Sequence, residues 1–124
     1  MRLLLILASL ALLVGSARAQ AEGRLISQGQ EVFEDNCAQC HRTNGEGLPA
    51  TFPALNKNAF VVGDPKPVIA TVLKGRKGNL GEMPAWQDTL NNDQIAAAIT
   101  YIRQAWSNRA PAVTPAMVAA TRGK

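Results

Sequence analysis

The two cysteines and the single histidine of this 124-residue chain lie within five positions, at Cys37, Cys40 and His41. Thiols add to activated double bonds, and an imidazole can bind a metal ion. Two cysteines separated by two residues and followed at once by histidine, CxxCH, are the attachment signature of c-type heme. The thiols would add across the two vinyl groups of the porphyrin, and a helical turn between them would bring the imidazole beneath the iron. One copy of the motif predicts one covalent heme c.

Three other uses of these side chains explain the pattern less well. A thioredoxin-like dithiol would require a βαβ context, which the sequence does not suggest. A tetrahedral zinc site would require a fourth ligand, and the chain has no further Cys or His. A structural disulfide between Cys37 and Cys40 remains open in an oxidising compartment, but it leaves His41 without a role.

A second axial ligand of the iron would have to come from a methionine, because the chain has no second histidine. The candidates are Met83 and Met117. Met83 lies between Gly81 and Pro84 in an irregular segment that could direct a thioether inward. Met117 lies in a terminal segment that we expect to be mobile, and filling a gap in the core explains it better. We therefore predict that Met83 is the ligand.

Helices with apolar faces would position these side chains. Residues 25–33 have apolar or small residues at helical spacing and predict a first helix. Asp64 and Pro65 resemble the cap and first turn of a second helix, and Gly75 would end it. Asn91, followed three residues later by Gln94, predicts a capping box for a last helix, whose apolar spacing extends to Trp106.

Two long segments between these helices have no sustained periodicity. Residues 42–63 and residues 75–89 are rich in Gly, Pro and Asn. Unstructured connections of this length are uncommon in compact domains unless they surround a functional group. No alternating strand pattern is evident. The sequence therefore predicts an all-α fold of three or more helices, with long loops wrapped around one covalent heme.

The N-terminus has the order of a signal peptide: Arg2, an apolar stretch over residues 3–14, and a cleavage motif at residues 17–19 (ARA). We predict cleavage after Ala19 and export to the periplasm, leaving a domain at 20–109 and an Ala/Pro-rich tail at 110–124, in which Thr114 and Pro115 could begin one short turn of helix. An uncleaved membrane anchor is the alternative, although the apolar stretch is short for a transmembrane helix. We expect no transmembrane segment in the mature chain.

The charge of the precursor says little about its partners. Removing residues 1–19 takes away Arg2 and Arg18, which leaves 11 basic and 9 acidic residues and lowers the formal charge from +4 to +2. A nucleic-acid partner is not expected, because Lys74, Arg76 and Lys77 form the only local basic cluster.

Taken together, these motifs resemble the class I c-type cytochromes. The resemblance spans residues 25–106 and includes CxxCH, residues 52–55 (FPAL), residues 83–86 (MPAW) and the closing helix. It implies that Gly29 allows the first and last helices to approach closely, with Phe33 packed near Tyr101. It also implies that the Pro53 carbonyl accepts a hydrogen bond from His41 and that Leu55 lines the heme. Trp86 and Trp106 would either hydrogen-bond a heme propionate or bury apolar area.

An iron with His41 and Met83 as ligands would have no open position, so the chain would transfer single electrons without being an enzyme. We expect a periplasmic carrier between a dehydrogenase or respiratory complex and a terminal acceptor. The alternative is a cytochrome c subunit of a multi-subunit periplasmic dehydrogenase, suggested by the composition of the C-terminal segment. A peroxidase or gas-binding sensor would require Met83 to be loosely bound or absent from the iron.

Overall fold

A computed structural model describes residues 2–123 of the chain, with side chains from residue 10 onward. The described part is mostly helical, as the sequence predicts. In chain order its elements are α1 (Arg2–Asn36), α2 (Ala38–His41), α3 (Ala59–Val62), α4 (Pro65–Lys74), β1 (Arg76–Lys77), β2 (Glu82–Met83), α5 (Asn92–Gln104) and α6 (Pro115–Thr121).

The C-terminal half of α1 packs against α5 at a point of very close approach. Gly29 is buried there, and a Cβ on this residue would overlap the Ala97 carbonyl oxygen and lie 2.9 Å from the Tyr101 Cβ. Only glycine therefore fits between the two helices at this position. The close approach implied by the resemblance is confirmed.

Two apolar clusters form the core. The larger joins α1, α4, α5 and α6, and its fully buried members include Ile69, Leu73 and Ile99. The smaller is centred on Phe33, Val61 and Ile102. The Phe33 ring lies 5.5 Å from the Tyr101 ring, centroid to centroid, which confirms the predicted pairing.

The predicted helix caps are confirmed. The Asp64 carboxylate accepts a hydrogen bond from the Lys66 amide at 3.0 Å, and Gly75 ends α4 with a positive φ of 75°. Asn91 and Gln94 form the reciprocal capping box of α5. The helical spacing was wrong about Trp106, however. Helix α5 ends at Gln104, and Trp106 adopts a positive φ of 55° in the turn that follows.

The two irregular segments contain some short regular structure. Residues 42–63 include α3, and in residues 75–89 the strands β1 and β2 pair antiparallel, with Arg76 opposite Met83. Sequence patterns did not predict this ladder, because two residues are too few to show alternation.

The expectation of a mobile C-terminal tail is wrong. The short helix expected after Thr114 is confirmed: Thr114 caps α6 through a capping box with Met117, and α6 packs against α4 and α5. Val113 and Val118 are almost fully buried in the larger cluster. The segment is therefore part of the packed structure.

Within the described residues, no helix combines the length and the apolar character needed to cross a membrane.

Candidate heme site

The CxxCH residues form a tight helical turn at the end of α1. The Cys37 amide donates to the Phe33 carbonyl at 2.8 Å, which continues the hydrogen bonding of α1. The His41 amide then donates to the Cys37 carbonyl at 3.0 Å. Cys37 also packs against the cluster around Phe33. The core therefore supports the turn that presents both thiols and the imidazole.

The two half-buried cysteines are free thiols in the structure. Burial, with a smaller contribution from Cys40, raises the pKa of Cys37 from 9.0 to about 11. Cys37 is therefore a neutral thiol at physiological pH, and the structure contains no disulfide between Cys37 and Cys40.

The orientation of His41 is fixed by a hydrogen bond to the following loop. Its Nδ1 lies 3.0 Å from the Pro53 carbonyl oxygen. A carbonyl can only accept, so Nδ1 carries the proton and Nε2 presents its lone pair. Burial lowers the pKa of His41, and the Pro53 contact offsets this only in part. The ring is thus neutral and held in the tautomer that a metal-binding Nε2 requires.

The loop that carries Pro53 is tied back to the CxxCH turn. The Gly47 amide donates to the His41 carbonyl at 2.9 Å, and the Gly45 carbonyl accepts from the Leu55 amide at 2.7 Å. Gly45 has a φ of 70° and is buried against the Trp106 ring, where a Cβ would overlap the indole. The Pro53 carbonyl is therefore held in place by the backbone on both sides.

Asn108, which the sequence analysis did not single out, holds the far end of the same loop. It is 2% exposed, its amide nitrogen donates to the Leu55 and Ile102 carbonyls, and its oxygen accepts from the Lys57 amide at 2.9 Å. An asparagine in a polar stretch ordinarily indicates a turn. Nothing in the sequence indicated that it contacts residues about fifty positions away.

Met83 is half-buried and lies in a segment whose backbone is anchored to α4. A Cβ on Gly75 would lie 2.5 Å from the Met83 carbonyl oxygen, so the two backbones touch. Three residues after Met83, the Trp86 amide donates to the Val72 carbonyl at 3.0 Å. The Met83 segment is thus fixed at the methionine itself and directly after it.

The loops that follow His41 and precede Met83 meet directly. A Cβ on Gly81 would lie 3.1 Å from the Thr51 carbonyl oxygen and 3.7 Å from the Phe52 ring. The Arg76 guanidinium lies over the Phe60 ring, 5.7 Å from its centroid. These contacts join the segment that follows the imidazole to the segment that carries the thioether.

Met117 lies in a different part of the molecule. It packs against the larger core cluster, and its sulfur is 3.5 Å from the Thr114 amide that donates to it. This is the core role that the sequence suggested for Met117.

The two tryptophans have separate positions. The Trp106 Nε1–H donates to the Thr43 carbonyl at 3.0 Å, and its ring lies 5.6 Å from the Phe33 ring. Its indole N–H is therefore used within the protein. Trp86 packs against the larger cluster, and Leu55 packs against the smaller one.

Arg103 is a second residue that sequence reasoning missed. It is 2% exposed, and its guanidinium donates to the carbonyls of Val61, Gly63 and Pro111 at 2.7–2.9 Å. Burial lowers its pKa, whereas Asp64 acts in the opposite direction. Arg103 therefore connects α5 to the end of α3 and to the segment before α6. The signal available in the sequence was a charged residue within the apolar pattern of α5.

The side chains present fit a covalent heme. Two free thiols and a neutral imidazole share one turn, and the Met83 segment faces the loop that orients the imidazole. The loops also expose Leu48, Phe60 and Leu80 by 39–43%. Exposed apolar side chains around a ligand-binding segment are expected where an apolar group is to be covered.

Comparison with known proteins places the chain in a family. Residues 24–102 match the family described as cytochrome c oxidase, cbb3-type, subunit III. The chain is 36% identical over 109 residues to the gluconate 2-dehydrogenase cytochrome c subunit of Pantoea cypripedii, covering 81% of this chain and 25% of that protein. It is 32% identical over 110 residues to the alcohol dehydrogenase (quinone) cytochrome c subunit of Gluconacetobacter polyoxogenes, covering 82% and 24%.

A third relative is the cbb3-type cytochrome c oxidase subunit FixP of Rhizobium meliloti, which is 30% identical over 93 residues, covering 74% of this chain and 32% of that protein. The fold and these matches define a c-type cytochrome domain, as the sequence motifs predicted. The chain belongs to the family of cbb3-type cytochrome c oxidase subunit III. It spans about a quarter to a third of the length of these relatives.

Proposed function

We propose that this chain binds one covalent heme c, with Cys37 and Cys40 as the thioether attachments and His41 and Met83 as axial ligands. The orientation of His41 by the Pro53 carbonyl is the observation that carries this proposal, because it leaves Nε2 free as a ligand. Family membership implies the heme, and the anchored Met83 segment supplies the second donor.

A heme iron with imidazole and thioether ligands accepts and donates single electrons and offers no open position to a substrate. The chain's own residues make that coordination rigid. Pro53 fixes the His41 ring, while Gly75 and Val72 hold the backbone around Met83. A rigid ligand set suits electron transfer, since little has to move when the charge changes.

The biological role we propose is a periplasmic electron carrier between a dehydrogenase or respiratory complex and a terminal acceptor. The second candidate is the electron-transfer subunit of a multi-subunit periplasmic dehydrogenase. The names of the gluconate and alcohol dehydrogenase relatives favour this candidate. Purification from native cells distinguishes the two, because a subunit would co-purify with a larger dehydrogenase and a free carrier would not.

We also propose that the chain is exported and cleaved after Ala19. Residues 10–24 of α1 are exposed, and side chains become buried only from Leu25 onward. Residues 10–19 therefore contribute no packed side chain that cleavage after Ala19 would remove.

Intact-mass measurement of the purified protein tests both parts of the proposal. We expect a chain that begins at Gln20 and retains one heme after acid–acetone extraction. Cys37→Ala or Cys40→Ala should weaken heme attachment, and His41→Ala should abolish the native spectrum. A protein that loses its heme on extraction, or an unaltered spectrum in His41→Ala, would contradict the ligand assignment.

A further inference from the structure

The guanidinium of Arg122, directly after α6, binds the segment that follows Met83. Its Nη2 donates to the Leu90 carbonyl at 3.1 Å, and its Nη1 donates to the Gln87 carbonyl. Its Nε donates to the Asn92 side-chain oxygen at 2.8 Å. One half-buried cation thus makes two hydrogen bonds to the connection between Met83 and α5, and a third to the first residue of α5.

The opposite side of this connection is bound to α4. The amides of Trp86 and Gln87 donate to the carbonyls of Val72 and Leu73 at 3.0 and 3.1 Å. Residues 86–90 are therefore held between α4 on one side and Arg122 on the other. Hydrogen bonds to charged groups are stronger than those between neutral groups, so loss of Arg122 removes a strong attachment of this segment.

We propose that Arg122 is a positioning residue that holds the segment after Met83 and so keeps the thioether on the iron. The proposal rests on the proposed function, in which Met83 is the axial ligand. Arg122 lies beyond residues 24–102, the part of the chain that matches the family. The C-terminal segment of this chain would thus contribute to heme coordination without touching the heme.

The test uses imidazole as a competing ligand for the oxidised heme protein. Imidazole binds only when Met83 leaves the iron, so its apparent affinity reports how firmly the loop holds the thioether. For Arg122→Gln we expect this affinity to rise about tenfold. The hydrogen bonds of the Arg122 guanidinium should favour the state with Met83 on the iron by roughly that factor. Arg122→Lys keeps the positive charge but loses the planar set of guanidinium N–H donors, so it should give a smaller increase in imidazole affinity.

Arg109→Gln is the matched control. Arg109 also donates to backbone carbonyls, those of Gln104 and Trp106, but on a turn that does not carry Met83. Its removal deletes the same charge and should leave the imidazole affinity within about twofold of the unsubstituted protein. An equal increase in Arg109→Gln and Arg122→Gln would overturn the proposal.

The double variant Met83→Ala/Arg122→Gln separates positioning from general weakening of the fold. Once the thioether is absent, Arg122→Gln should no longer change the imidazole affinity, because there is no ligand left to hold. A tenfold effect that persists without Met83 would refute the positioning role. If Met83→Ala alone leaves the affinity unchanged, the ligand assignment itself fails, and this inference fails with it.

Discussion

The state of His41 follows from two opposing influences on one imidazole ring. Burial disfavours the charged ring, and the Pro53 carbonyl favours the protonated Nδ1. Burial is the larger influence, so the pKa is lowered and the ring is neutral at physiological pH. A metal ligand needs this state, because a protonated imidazole has no lone pair to offer.

Tyr101 provides a test of the electrostatics next to the site. Burial, and to a smaller extent Glu34, raises its pKa above 10.0. Because the folded state holds the proton more tightly, this group stabilises the fold below pH 10.0 and loses that contribution as the pH rises through the folded pKa. Tyr101 is the single tyrosine of the chain, so one labelled ring carbon in the NMR spectrum of the reduced protein follows it.

In that titration Glu34→Gln should move the midpoint only part of the way back toward 10.0, because burial is the larger cause of the raised pKa. A midpoint at or below 10.0 in the unsubstituted protein would contradict the half-buried position of the ring.

The sequence identified the residues with distinctive chemistry but not those that support them. Cys37, Cys40 and His41 form the CxxCH motif, whose spacing is the one that covalent heme attachment requires. Asn108 and Arg103 act through hydrogen bonds to backbone carbonyls that are distant in sequence. No local pattern specifies such a contact, since any residue supplies a carbonyl.

At the scale of elements, the crossing of α1 and α5 depends on a single missing side chain. Gly29→Ala would place a Cβ against the Ala97 carbonyl, which a helix backbone cannot easily move. We expect the free energy of unfolding to fall by about 2 kcal/mol, because overpacking outweighs the gain in helix propensity.

Gly23→Ala is the matched control for this substitution in denaturant unfolding. A Cβ on Gly23, in the same helix, would meet nothing within 4 Å. It should leave stability unchanged or raise it by about 0.5 kcal/mol. Equal effects of the two substitutions would mean that α1 and α5 do not approach as closely as described.

The helix ends were predictable because caps are local. Asp64, Asn91 and Thr114 each accept a hydrogen bond from an amide two or three residues ahead, which a short window of sequence can reveal. Trp106 was misplaced because its apolar character continues the pattern of α5. Its real environment is the Phe33 ring and the Thr43 carbonyl, which periodicity cannot distinguish from a helix face.

At the scale of the whole molecule, the C-terminal segment packs against α5 and the larger apolar cluster. The Thr100 hydroxyl exchanges hydrogen bonds with the backbone of Val113 at 2.9 and 3.1 Å, and Val118 is fully buried. Composition suggested a mobile tail, because Ala and Pro are common in such segments. Val113 and Val118 nevertheless give the segment a face that is buried in the larger cluster.

Truncation after Ala110 tests whether the C-terminal segment stabilises the domain. It removes Val113 and Val118 from the larger cluster, and each buried valine is worth roughly 1.5–3 kcal/mol, so stability should fall by at least about 3 kcal/mol. The milder Val118→Ala should cost about 2 kcal/mol, and Ala119→Ser, at an exposed neighbour, almost nothing. Unchanged unfolding of the truncated protein would show that the segment is independent of the domain.

The identity of the second axial ligand decides whether this molecule is a carrier or a reactive heme protein. Oxidised heme with a methionine ligand has a sulfur-to-iron charge-transfer band near the red end of the visible spectrum. We predict that this band is present in the unsubstituted protein, persists in Met117→Ala and is lost in Met83→Ala, which should also bind carbon monoxide when reduced and have a lower potential. A band that survives in Met83→Ala and disappears in Met117→Ala would contradict the assignment and place the C-terminal segment over the heme.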